Sequence, residues 1–447
     1  MKPHLCLLLL AASASASLLT AQDKPKDPFV KDKQTAAAPA VSEDTPRNIQ
    51  CLLETFTLPQ ADYAALLDAP GGRDKLYSQV LEAVKAGSAR LDGCHWVTNK
   101  SGMRTVLESV DELIHPSEWT PADLKGFQYP TALEMRQLGD RFEYETVLNS
   151  ENGTLDVTYD FSRDQLLGLR VVKADTTLMG VPVANFFTRK RTSSSRFIPG
   201  SPTLLATLSH PEPGSTTLLF ATAHVVPLPA PKAPAAVTEG NVLLTARVIS
   251  LDRAKGWELL KQHGTANAAL LADLKPLLAS KSAALEHIAT INVKPAVRAV
   301  HESGVLYTYG TQFSPPIEAV PAQPAKDPKD QGQPAMPASL AGTTAFENRS
   351  LGFRLEVEAV IGADGATADL TLAPEFVTMT GNLKGENWNE HYPDIPVFSC
   401  QKVTTSYSQL VGTTHLISTL NPPGDTGALG HKDTGRMWLL FLDVNLE

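Results

Sequence analysis

Eighteen consecutive residues, Thr131–Leu148 (TALEMRQLGDRFEYETVL), are matched at ten positions by Thr344–Ile361 (TAFENRSLGFRLEVEAVI). Chance would give roughly one identity, so the pair marks an internal duplication. Whatever one copy folds into, the other must fold into as well. The match extends both ways. NIQCLLETFTLPQADYAALL from Asn48 lies over NVLLTARVISLDRAKGWELL from Asn241, and the segment from Val97 lies over that from Ile291 without a gap. FTRKRTSSSRFIPGSPTLLATLSHP from Phe187 lies over SCQKVTTSYSQLVGTTHLISTLNPP from Ser399, and TLLFATAHVV from Thr217 over WLLFLDVNLE from Trp438. Repeat 1 therefore spans 48–227 and repeat 2 spans 241–447.

Periodicity supplies the content of one copy. In FRLEVEAV, Phe353, Leu355 and Val357 alternate with Arg354, Glu356 and Glu358, which predicts a half-buried strand. GADG at Gly362–Gly365 is a turn signal, after which TADLTL resumes the alternation, so the segment is a β-hairpin. RFEYETVL, NSENG and TLDVTY repeat the design in the first copy. TTSYSQLVGTTHLISTL predicts another hairpin turning near Val411-Gly412, and MWLLFLDVNL a strand buried on both faces. DRAKGWELLKQ and ALLADLKPLLAS have helical spacing, with Asp252 as an N-cap; DYAALLDA and DKLYSQVLEAVKAG are their counterparts. The expected fold class is α+β with β in the majority. The outward charges Glu143, Glu145, Glu356 and Glu358 must meet water or a partner.

The segments outside the repeats have a different character. Residues 1–21 have one Lys, a short apolar run and a small-residue end, the pattern of a cleavable secretory signal. The run is too short to span a bilayer. Residues 22–47 are charged and rich in Ala and Pro, a flexible tail. Residues 228–240 form a Pro/Ala linker between the repeats, and 319–342 a disordered loop inside repeat 2. A formal net charge of −9 argues against a nucleic-acid partner. Arg189-Lys190-Arg191 reads as a solvated strand face. Cys51, Cys94 and Cys400 remain after the signal, too few for a disulfide scaffold and without zinc spacing. In an exported chain, Cys51 and Cys94 could pair, leaving Cys400 single.

The order of LGFRLEVEAVIGADGATADLTLAPEFV, QKVTTSYSQLVGTTHLISTL and LLFLDVNL resembles the C-terminal homology domain of the secretins of bacterial type II and type III secretion. Repeat 2 carries the resemblance throughout, and repeat 1 carries it in degenerate form. It implies two tandem secretin-like domains in an envelope protein, periplasmic or associated with the outer membrane. The partners implied are the chain itself or other secretion components. The chain departs from the family between Leu420 and Arg436, where NPPGDTGALGHKDTG is short and polar and has no apolar girdle of the kind a membrane barrel needs. It also lacks the ring-forming modules that precede the family's barrel. A secretin-like unit without pore-forming equipment is the expectation.

No nucleophile elbow, metalloprotease motif, phosphate loop or dinucleotide fingerprint is present, so no catalytic residue, cofactor or metal is assigned. The expected function is non-enzymatic: assembly, as a scaffold or accessory in protein secretion. The alternative is a monomeric periplasmic binding module using Trp388, His391 and Tyr392 of GENWNEHYPDIP as a recognition loop.

Overall fold

The strand patterns predict two kinds of sheet, one buried on a single face and one buried on both, and the fold contains one of each. The computed structural model describes residues 46–120, 128–173, 180–230, 240–314, 319, 322, 342–383, 394–422 and 434–447. Repeat 1 runs β1 (Arg47–Pro59), α1 (Gln60–Asp68), α2 (Gly72–Ala86), β2 (Arg90–Lys100), β3 (Arg104–Trp119), β4 (Pro130–Leu148), β5 (Leu155–Val172), β6 (Val181–Phe197), β7 (Thr203–Ser209) and β8 (Ser215–Pro227). Repeat 2 has the same order: β9 (Val242–Asp252), α3 (Arg253–His263), α4 (Asn267–Ala279), β10 (Ala283–Val293), β11 (Ala299–Ser314), β12 (Gly342–Ile361), β13 (Thr367–Asn382), β14 (Pro396–Leu410), β15 (Thr413–Leu420) and β16 (Arg436–Leu446). The fold is α+β and strongly β-majority.

Both sheets are antiparallel and eight-stranded. Sheet A is ordered β10-β9-β16-β15-β2-β1-β8-β7, and sheet B β11-β12-β13-β14-β3-β4-β5-β6. Pairing repeats with the sequence: β1 lies between β2 and β8, as β9 lies between β10 and β16. The repeats are not separate bodies. Each gives four strands to each sheet, and the described residues fall in one compact unit.

The sheets pack face to face over one large core, to which sheet A gives Leu53, Val97 and Ala246 and sheet B gives Phe142, Tyr159 and Leu355. The other face of sheet A is covered by the helices, through Phe56, Leu76, Val80, Trp257, Leu260 and Leu274. In a sheet buried on both faces the burial pattern does not alternate. That is so of β1, which buries Gln50 and Glu54 beside its apolar residues, and of β16, while the first half of β5 alternates strictly. Asp252 caps α3 by accepting from Lys255 N at 3.0 Å. The long strands of sheet B continue past sheet A to a small tip core around Phe398, Val377 and Ile114. There Gln312 pairs with Ala132, bringing β11 against β4.

The duplicated Leu-Gly has a steric cause. Gly139 and Gly352 have φ of 121° and 132°, and a Cβ there would lie 2.4 Å from Ser109 O and 2.3 Å from Ser303 O. Only glycine fits where each strand crosses its neighbour so closely. Two of the four outward glutamates meet arginines: Glu143 pairs with Arg104 and Arg141, and Glu356 with Arg298 and Arg354.

The Cys51–Cys94 disulfide does not form. Cys51 lies opposite Val97 and Cys94 opposite Glu54, so the thiols are out of register. They also face opposite sides of sheet A, Cys51 toward sheet B and Cys94 toward the helices. Both are free and buried, as is Cys400, and burial pushes the Cys51 thiol up to about 12. The expected signal, the tail up to residue 45, most of the linker and of the 319–342 loop, and Trp388, His391 and Tyr392 lie outside the described residues.

Candidate functional site

One row of side chains crosses all eight strands of sheet B. Ser303, Phe353, Phe376, Gln401, Ser109, Asp140, Arg163 and Arg189 stand opposite one another from β11 to β6. The half belonging to repeat 2 is uncharged, and at its centre Phe353 and Phe376 stack with centroids 4.5 Å apart. The half belonging to repeat 1 carries charge at the same positions. Asp140 replaces Phe353, Arg163 replaces Phe376, and Arg189 replaces Gln401. Across the core, His95 of β2 replaces Ala289 of β10.

The charged half is buried. His95, Arg189, Asp140 and Arg163 are exposed by only 1%, 4%, 5% and 8%. Arg163 grips both carboxylate oxygens of Asp140 and also donates to Thr55 Oγ1 at 3.1 Å. His95 Nε2 lies 2.8 Å from Asp140 Oδ2. Burial pushes the Asp140 carboxyl up, but the Arg163 guanidinium and the His95 bond overcome that and hold it well below the usual range. Asp140 is thus a fixed anion whose oxygens are already committed. His95 is enclosed by Asp140 and Asn421, whose Nδ2 lies 3.3 Å from Nε2. Ser109 Oγ is engaged with Gln401 and with Asn421 O, not with His95. A Ser-His-Asp relay is therefore not assembled, despite the residue types.

Arg189 differs from its neighbour. Its Nη1 donates to Thr217 Oγ1 at 3.1 Å and its Nη2 to Gln165 Oε1 at 2.6 Å, while Nε is buried without a partner. Both partners are neutral. Burial and the facing Arg163 lower its pKa to about 10. The solvated face expected for Arg189-Lys190-Arg191 is corrected here: Lys190 pairs with Asp160 at the surface, but Arg189 points inward. Strand alternation puts the first of three consecutive charges on the opposite face from the second.

Ser109, Asp140, Arg163, Gln165, Arg189 and Asn421 line a cavity of about 320 Å³ between the sheets. Its walls carry Arg90, Arg163, Arg189 and Arg253 against Asp92, Asp140 and Asp164, with His210 beside them. Arg253, the first residue of α3, reaches across from repeat 2 and donates to Asp92 O at 3.0 Å. Among the described residues no group of His, Cys, Asp and Glu could hold a metal ion. Motif reading missed this site. The available signal was a difference between the copies: Asp140 against Phe353, inside the best-matched stretch.

No family model matches the sequence, and no curated protein matches it. Among solved structures the chain is similar to Aeromonas hydrophila ExeD, at 10% identity and a TM-score of 0.23, with 41% of this chain and 49% of that chain covered. The chain thus spans about half the length of that structure, and a likeness at this score supports no inference about function.

Proposed function

We propose that the chain is a non-enzymatic, exported envelope protein of secretin-like type, acting by assembly as a scaffold or accessory in protein secretion. Its partners are copies of itself or other envelope components, in the periplasm or at the outer membrane. Among the described residues no helix is long and apolar enough to cross a membrane.

The observation that supports assembly is the seam between the repeats. It joins unlike surfaces: β14 of repeat 2 pairs with β3 of repeat 1 from Val397–Leu113 to Thr404–Val106, and β15 meets β2 at Ser418–Val97. Thr419 reinforces the second contact, bonding Trp96 N at 2.8 Å and Cys94 O at 3.1 Å. The sheets end in the same surfaces. β6 and β7 are the repeat 1 counterparts of β14 and β15, and β10 and β11 the repeat 2 counterparts of β2 and β3. A head-to-tail joint that leaves both of its halves unused at the ends can be made again between chains, giving rings or filaments.

The free edge is chemically suited to this. Val300, Val305 and Leu306 on β11 are 52%, 68% and 62% exposed, and Leu285 and Ile288 on β10 are 50% and 53% exposed. An open apolar edge of this kind invites pairing. In the internal register Lys402 lies opposite Glu108; the same register between chains would set Lys190 opposite Glu302 and stop short of Gln312. One internal contact has no counterpart. Arg349 donates to Glu112 through two bonds, at 2.9 and 2.7 Å, whereas the corresponding open positions are Arg136 and Leu306. The joint between chains is therefore weaker than the seam.

The test is the mass of the purified protein in solution, with and without detergent. Wild type should form a large species, and Val305→Lys with Leu306→Lys should reduce it to the monomer with an unchanged melting temperature. Lys190→Glu and Glu302→Lys should each weaken the assembly and together restore it. A wild-type chain that stays monomeric at high concentration sinks the reading and favours a binding module.

A further inference from the structure

We propose that the cavity between the sheets binds a small oxyanion that also carries a hydrogen-bond donor, with Arg189 as its anchor. Dihydrogen phosphate and the carboxylate of a free amino acid share this chemistry.

The argument begins with a charge imbalance. Buried charges are normally paired, because leaving water is costly. Arg163 has Asp140. Arg189, directly opposite Arg163 on the neighbouring strand, has two neutral acceptors and, among the described residues, no carboxylate within ion-pair distance. Like charges facing across a ladder destabilise it, and burial together with the facing Arg163 depresses the Arg189 pKa. A guanidinium has five N–H groups in a rigid fork. Two are used by Thr217 and Gln165, which fix its plane and leave donors for an anion.

The rest of the lining sets the second requirement. Asn421 Oδ1 is buried without a partner. This acceptor would repel a bare dianion and welcome an N–H or O–H on the ligand. Repeat 2 provides the internal control. At the position of Arg189 it has Gln401, whose Oε1 accepts from Ser109, and its version of the row is filled by aromatic rings. Among the described residues, this row carries buried charge in repeat 1 alone.

The test uses the full chain and two probes, inorganic phosphate near pH 6 and glycine, titrated at constant ionic strength with chloride as reference. Wild type should show a saturable rise in melting temperature and a binding isotherm with at least one probe; which one responds separates a phosphate ligand from a carboxylate one. Arg189→Gln, the residue its twin carries, should weaken binding at least tenfold. Gln165→Ala should weaken it less, and Arg196→Gln, at the surface of the same strand, should leave it unchanged. If Arg189→Gln fails to fold, Gln165→Ala against Arg196→Gln decides the matter. No response beyond chloride in wild type, or equal binding by wild type and Gln165→Ala or Arg189→Gln, overturns the proposal. Val305→Lys with Leu306→Lys should keep the response, since the cavity lies within one chain.

Discussion

At the scale of single residues, the two repeats solve one packing problem in two ways. Phe353, Phe376 and Ala289 fill their positions with apolar volume; Asp140, Arg163 and His95 fill theirs with a bonded charge cluster. Removing one member of such a cluster strands the others, so Asp140→Ala should destabilise the fold by roughly 3–5 kcal/mol in denaturant titration. Replacing the whole set by its twin, as His95→Ala, Asp140→Phe and Arg163→Phe together, should recover most of that loss, because well-packed apolar groups equal or exceed buried ion pairs. A triple variant as unstable as Asp140→Ala would mean that the cluster shapes the core in a way the aromatic set cannot replace. The sequence held this contrast in plain view, at one of the eight differing positions set among ten identities. Identity reveals common ancestry and says nothing about where the copies part, so the cluster stayed unread. Its components lie on separate strands and become neighbours only through register.

At the scale of elements, period-two alternation located the hairpins of sheet B, and its absence marked β16 as doubly buried, because both patterns report directly on burial. The turns at Gly365 and Gly412, both with positive φ, came with recognisable residues. Helix α3 was equally legible through Asp252. Asp252→Ala should cost about 1 kcal/mol, measured by chemical denaturation. A loss near zero would mean that packing of Trp257 and Leu260, not the cap, holds the helix start. The corresponding residue before α1 is Pro59, which offers no side-chain cap, and α1 buries none of its residues. Strand partners across the seam were not legible. β14 and β3 are joined by ladder bonds, and a ladder leaves no mark on side-chain order that a reader could match.

At the scale of the whole molecule, the halves are held at the seam by polar contacts within an apolar sandwich. Asn48 exchanges two bonds with Ser408, at 2.7 and 2.9 Å, and Thr405 Oγ1 donates to Thr98 O at 2.6 Å. His415 sits among them, stacked on Tyr407, with Nδ1 2.8 Å from Asn267 Nδ2. Burial lowers its pKa to about 4. The folded protein thus keeps this ring neutral, while the unfolded chain takes up a proton near the ordinary value of about 6.5. Stability from this group is complete above pH 6.5 and is lost as pH falls toward 4, by about 3 kcal/mol in total. His210, His224 and His287, also lowered by burial, add in the same direction. His415→Gln should flatten the largest part of that slope, seen as melting temperature against pH. An unchanged slope would show that the ring is reached by solvent. Two copies and their order were readable from the chain; that they share both sheets was not, since tandem repeats can as well fold as separate beads.

The row across sheet B changes character halfway, from aromatic to ionic. If chains join by the same step that joins the repeats, this change recurs with every subunit. The buried layer between the sheets would then be striped, greasy and charged by turns, all along the assembly. It would be built from an even count of folding units, only every other one of which carries a socket.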